Sequence, residues 1–163
     1  MESKANILGH PIHQMLVPFP LGLLGGAFVF DVLGKVFEWR GVAGAAFYMI
    51  AAGIVAGLLA AVFGLIDFLG IPSGTRAKRV GTIHGIGNVI VVALFALSWF
   101  LRREAPADPS LMALTFSAAG FALSGVTGWL GGELVDRLSV GVDDGAHLDA
   151  PNSLTHSRAA TPR

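Results

Sequence analysis

Residues 41–66 read GVAGAAFYMIAAGIVAGLLAAVFGLI, 26 consecutive side chains without a formal charge between Arg40 and Asp67. As a helix this stretch is about 39 Å long at 1.5 Å per residue, more than the roughly 30 Å of bilayer hydrocarbon. Three other stretches are like it. Lys4 to Asp31 encloses 26 uncharged residues, Arg79 to Arg102 encloses 22 and Asp108 to Glu133 encloses 24. Each reaches the roughly 20 residues that a membrane-crossing helix needs. The chain therefore reads as an all-α integral membrane protein, a four-helix bundle with short loops and both termini on the same side.

A soluble fold with four wholly buried helices is the alternative, but 163 residues leave too little chain to cover them with a polar layer. A cleaved signal peptide also fits poorly. The first apolar run is long, has only Lys4 as a basic flank and continues directly to Asp31 and Lys35. The spans are expected near Leu16 to Phe37, Ala43 to Leu69, Val80 to Leu101 and Leu111 to Asp136. This gives a surface segment at 1–15, a membrane domain at 16–136 and a polar tail at 137–163. The links Glu38 to Val42, Gly70 to Arg79 and Arg102 to Ser110 are short, so neighbouring helices should be antiparallel.

Composition narrows the functions. Hydrophobic residues make up 53% of the chain and charged ones 13%, about half the usual soluble fraction. Eleven basic and eleven acidic residues cancel, leaving no basic field for nucleic acid. Cysteine is absent, which excludes disulfides, thiolate metal sites and cysteine nucleophiles within the chain. P-loop, dinucleotide, G-x-S-x-G and H-E-x-x-H motifs are also missing, so the chain is not expected to be an enzyme on its own.

Small residues recur at helical spacing: Gly22 and Gly26, Gly53 and Gly57, then Ser124, Gly128 and Gly132. In lipid such positions let helix backbones approach, within one bundle or across a homodimer. Lys4, Arg76, Lys78, Arg79, Arg137, Arg158 and Arg163 fall on the terminal face, against Lys35, Arg40, Arg102 and Arg103 opposite. Without the distant Arg158 and Arg163 the bias is five to four, which places the termini in the cytoplasm. Trp39, Trp99 and Trp129 read as interfacial aromatics, and Asp31 as the local partner of Lys35 four residues on.

With four crossings, His10, His13, His84, His147 and His156 all lie on the terminal side, as do Asp67 and Glu133. Ionisable groups inside a membrane usually face the bundle interior, paired or liganded. His84 lies about 7 Å along its helix from Arg79, and Asn88 is one turn deeper on the same stripe. Pro18 and Pro20 suggest a helix start, with H-P-I-H lying over the membrane face.

Three readings follow. His10, His13, Asp67, His84 and Glu133 form a metal centre for iron, zinc, manganese or copper, or His84 with His13 or His10, beside Asn88, ligates haem b. Alternatively these groups form a structural polar network that fixes helix register. The third reading makes them a relay for protons or a solute. In the tail, Asp143, Asp144, His147 and Asp149 read as a solvated turn before a disordered end.

HPIHQMLVPFPLGLL (His10 to Leu24), GLIDF, GTIHGIGN, WLGGELV and GVDDGAHLDAPNSL together resemble a bacterial family of predicted membrane proteins, domain of unknown function 2231. The resemblance runs from His10 to about Leu154. It implies a small, four-span inner-membrane protein. Some relatives are joined to, or look like partners of, Rieske-type iron–sulfur domains, so a redox role and such a partner follow by association. The family motif positions present are His10, Pro11, His13, Phe19, Pro20, Asp67, His84, Asn88, Gly131 and Gly132. Many relatives carry a proline where this chain has Gln14 and a histidine where it has Pro18, which leaves one imidazole fewer for any haem.

Overall fold

The computed structural model describes residues 1–154. His156, Arg158, Arg163 and the expected disordered end lie outside the described residues. A two-residue hairpin opens the chain, β1 Asn6–Ile7 against β2 His10–Pro11. Its turn has positive φ at both Leu8 (52°) and Gly9 (84°), the twist that a two-residue hairpin demands. Helices α1 Ile12–Leu16, α2 Pro18–Val36, α3 Arg40–Gly70, α4 Arg76–Leu101 and α5 Leu111–Gly132 follow. A π-turn, Glu133–Arg137, closes the last of them.

Four spans are long and apolar enough to cross a membrane: Ile12–Val36, Arg40–Gly70, Arg76–Leu101 and Leu111–Arg137. The first is α1 and α2 in continuity, because Val17 between them has helical φ and ψ. The helix thus begins ahead of Pro18 and not at it. Prolines at 18 and 20 remove two amide donors, but Ile12 donates its N–H to Ala5 ahead of the helix and Val17 continues the helix by donating to His13. As a result His13 belongs to the span and does not lie over the membrane face as expected. Thr75 and Ser110 cap α4 and α5, accepting from the N–H of Lys78 and Ala113.

The helical hairpins α2–α3 and α4–α5 are the most extensively packed pairs. Glycines set their closeness. A Cβ on Gly26 would lie 2.7 Å from Met49, one on Gly53 2.6 Å from Leu24, and one on Gly120 2.8 Å from Phe95. Gly22 and Gly128, from the same sequence stripes, would meet nothing within 4 Å, so spacing alone did not identify the contacts. Leu24, Ala27, Ala46, Ile50, Val91 and Phe95 form the buried centre. The outer surface stays apolar, with Val89 and Leu69 widely exposed, as helices facing acyl chains require.

Beyond this apolar centre, at the end away from the chain termini, lies a buried ion pair. Arg102 donates from Nη1 to Asp31 Oδ1 at 2.6 Å and from Nη2 to Asp31 Oδ2 at 2.8 Å. Nη2 also reaches Ser98 Oγ at 2.8 Å and Ser117 Oγ at 3.2 Å, so one guanidinium joins α2, α4 and α5. Asp31 and Arg102 are each 1% exposed. This corrects two expectations: Asp31 is not the surface partner of Lys35, and Arg102 is not a solvated loop charge. Trp99 is corrected as well. It stacks on Phe47 with centroids 5.2 Å apart and packs against the core, whereas Trp39 and Trp129 are exposed.

Stranding one member of a buried pair costs about 3–5 kcal/mol, while apolar replacement of both is often neutral. Asp31→Ala should therefore destabilise the bundle by about that amount in mild detergent. The double variant Asp31→Leu/Arg102→Met should recover most of the loss in the same unfolding measurement, and equal loss in both would contradict this account.

Candidate functional site

His13 is in α1 and points at α3. Its Nδ1 lies 2.8 Å from the backbone oxygen of Ala60. The ring covers Gly64, where a Cβ would come within 2.8 Å of imidazole carbon, so only glycine lets the ring lie this close to α3. His84, on α4, is held in the same way by α5. Its Nδ1 is 2.9 Å from the backbone oxygen of Thr127, and Gly131 leaves room for its ring. A carbonyl oxygen only accepts, so in both residues Nδ1 carries the proton and donates it. In the neutral imidazoles, Nε2 then holds the lone pair. That of His84 accepts from the Asn88 amide at 3.1 Å.

The other expected ligands are committed elsewhere. Asp67, 8% exposed, receives the N-terminal segment. Ser3 Oγ lies 2.7 and 2.9 Å from its two oxygens, and the N–H groups of Lys4 and Ala5 donate to Oδ1 at 2.8 and 3.3 Å. Glu133 accepts from Arg76 Nη2, tying the π-turn to the start of α4. His10 is exposed in the hairpin, with Nε2 3.4 Å from Ser153 Oγ. In the tail, Asp143 accepts from the Gly145 N–H as an ordinary turn, Asp144 lies 3.8 Å from the Met1 amino group, and the Asp149 N–H donates to His147.

Among the described residues no three His, Asp or Glu side chains gather to hold a metal ion. The five-residue centre of His10, His13, Asp67, His84 and Glu133 is therefore not assembled. His10 is exposed in the hairpin, Asp67 already accepts from Ser3 and two backbone N–H groups, and Glu133 is paired with Arg76. What remains is a pair of imidazoles, each with Nδ1 fixed and Nε2 carrying a lone pair. Two imidazoles are fewer than the three or four protein ligands that zinc usually takes.

Sequence reading overlooked the residues that hold these rings, because backbone carbonyls carry no sequence signature. Ser3 was also overlooked. It lies in a segment without hydropathic pattern, and only the fold brings it to Asp67. The Asp31 and Arg102 pairing had a usable signal: both lie at the same membrane end, and Ser98 is one turn before Arg102.

The family model described as predicted membrane protein, DUF2231, matches residues 9–144. The chain belongs to that family. No curated protein and no solved structure matches it.

Asp67 acts as the clasp for the segment that precedes the hairpin. Asp67→Ala should speed amide exchange at Lys4 and Ala5 by at least about tenfold, the loss of roughly 1.4 kcal/mol of local protection. Glu133→Gln should leave those amides unchanged. Equal exchange in the Asp67 variant and the parent would show that the segment is held by something else.

Proposed function

We propose that this membrane protein holds a b-type haem through Nε2 of His13 and Nε2 of His84, near the face that bears the termini, and serves electron transfer or redox sensing in the bacterial inner membrane. The observation that carries this reading is the matched setting of the two rings. Each donates Nδ1–H to a backbone carbonyl of a neighbouring helix, the outer-shell bond that fixes tautomer and orientation in metal-ligating histidines. Bound haem would supply one-electron chemistry at its iron.

The chain's own residues supply the rest. Gly64 and Gly131 admit the rings, and the clasp on Asp67 keeps α1 and its histidine in register. Asn88 fills the hydrogen-bonding need of His84 Nε2 and would have to release it on ligation. An iron–sulfur protein of the Rieske type is the partner class that the family resemblance suggests.

A non-catalytic membrane scaffold or subunit is the second reading, favoured by that same Asn88 contact, which already satisfies His84 within the bundle. The relay reading has less behind it. Asn88 and Ser98 are about 15 Å apart along α4, and the buried Val91 and Phe95 lie between them. No titratable side chain among the buried residues bridges that layer.

Protein purified in mild detergent should show a Soret band with about one haem per chain. His13→Ala and His84→Ala should each abolish it, while His10→Ala and Glu133→Gln should retain it. A colourless preparation that does not take up added haem sinks the proposal and leaves the scaffold.

We also orient the termini toward the cytoplasm. Burial of Arg102 removes it from the opposite face's tally, leaving Lys35, Arg40 and Arg103 against Lys4, Arg76, Lys78, Arg79 and Arg137. Ser73→Cys is expected to be protected from impermeant maleimide in intact cells and labelled in inverted vesicles. Labelling from outside would reverse the orientation.

A further inference from the structure

At the end of the bundle away from the histidines, a cleft of about 310 Å³ opens between the α2–α3 link and the α4–α5 link. Its volume falls at the lower end of the range of small-ligand sites. Buried Gly34 and Ala43 line it together with Lys35, Glu38, Arg40 and Asp108. Two cations and two anions thus surround one space. None of these four side chains makes an ion pair or a side-chain hydrogen bond among the described residues. Lys35 is available because Arg102 has taken Asp31, its neighbour one turn earlier.

Glu38, with φ of 55°, ends α2 just past its cap Phe37, the left-handed position that commonly closes a helix, and turns the chain along the cleft. Beside it Phe37 and Trp39 stack at 5.2 Å and are both more than half exposed, which marks this link as lying at the membrane–water interface. A ligand of one charge would satisfy half of the lining and repel the rest.

We infer that this cleft binds the zwitterionic headgroup of an ethanolamine phospholipid, its phosphate on Lys35 and Arg40 and its ammonium on Glu38 and Asp108. The interfacial depth favours a lipid over a free phosphoethanolamine molecule. A primary ammonium brings three N–H donors to the carboxylates. The trimethylammonium of choline lipids brings none, and phosphatidylglycerol has no cation.

The test is native mass spectrometry of the full chain in mild detergent with equimolar phosphatidylethanolamine, phosphatidylcholine and phosphatidylglycerol of identical acyl chains. The ethanolamine lipid should be retained about tenfold over the other two, the effect of one or two charge-assisted hydrogen bonds. Lys35→Gln/Glu38→Gln should remove this preference without changing the melting midpoint. Should that variant fail to fold, Asp108→Asn, in a separate loop, should reduce it. Equal retention of the three lipids, or a preference unchanged in a folded variant, overturns the proposal. Displacement of the lipid by equimolar soluble phosphoethanolamine overturns the lipid as the source.

Discussion

Hydrocarbon offers no hydrogen-bond partner, so each polar group that the bundle takes into the membrane must be matched by another part of the chain. The Arg102 guanidinium meets this requirement through its two terminal nitrogens, while its Nε and the Trp99 indole nitrogen are buried without a hydrogen-bond partner among the described residues. Four of its contacts go to Asp31, Ser98 and Ser117, and through them three helices are fixed relative to one another. Ser98 and Ser117 also share a 2.8 Å hydrogen bond, and Ser98 reaches the carbonyl of Ala113, so the hydroxyls are held for their task. Apolar contact alone gives little orientation in lipid, where acyl chains are as good a neighbour as leucine. A charge pair with two hydroxyls defines register that dispersion cannot.

The same constraint divides the molecule into two polar ends and a dry middle. Leu24, Ala27, Ala46, Ile50, Val91 and Phe95 fill the space between the ion pair and the histidines, with glycines letting the helices close around them. The two polar ends therefore lie at opposite ends of the bundle, separated by this apolar layer. One holds two oriented imidazoles, and the other presents a charged cleft at interfacial depth above a sealed ion pair.

Around the imidazoles, carboxylates position and do not ligate. Asp67 binds the chain that leads to the hairpin, and Glu133 binds the start of α4 through Arg76. These bonds close the bundle mouth from two sides and bring His13 onto α3. A sequence-level count of ligand-type residues on one face treats carboxylates and imidazoles alike. In the folded chain Asp67 is held by a hydroxyl and two backbone N–H groups and Glu133 by the Arg76 guanidinium, and those donors decide their roles.

The amino-acid sequence by itself determined the all-helical class, the four crossings, the short antiparallel links and the gathering of His13, His84, Asp67 and Glu133 on one membrane face. Hydropathy and parity are properties of successive residues, and 26 uncharged positions in a row admit few folds. Only the tertiary structure decided partners. It paired Asp31 with Arg102 across 71 positions and not with Lys35 across four, and Asp67 with Ser3 across 64. It also continued the first helix through its prolines to include His13. Those outcomes depend on which helix faces meet and on backbone carbonyls that every residue carries alike. A linear pattern of side chains holds no record of either, because desolvation selects a partner only after the helices have packed.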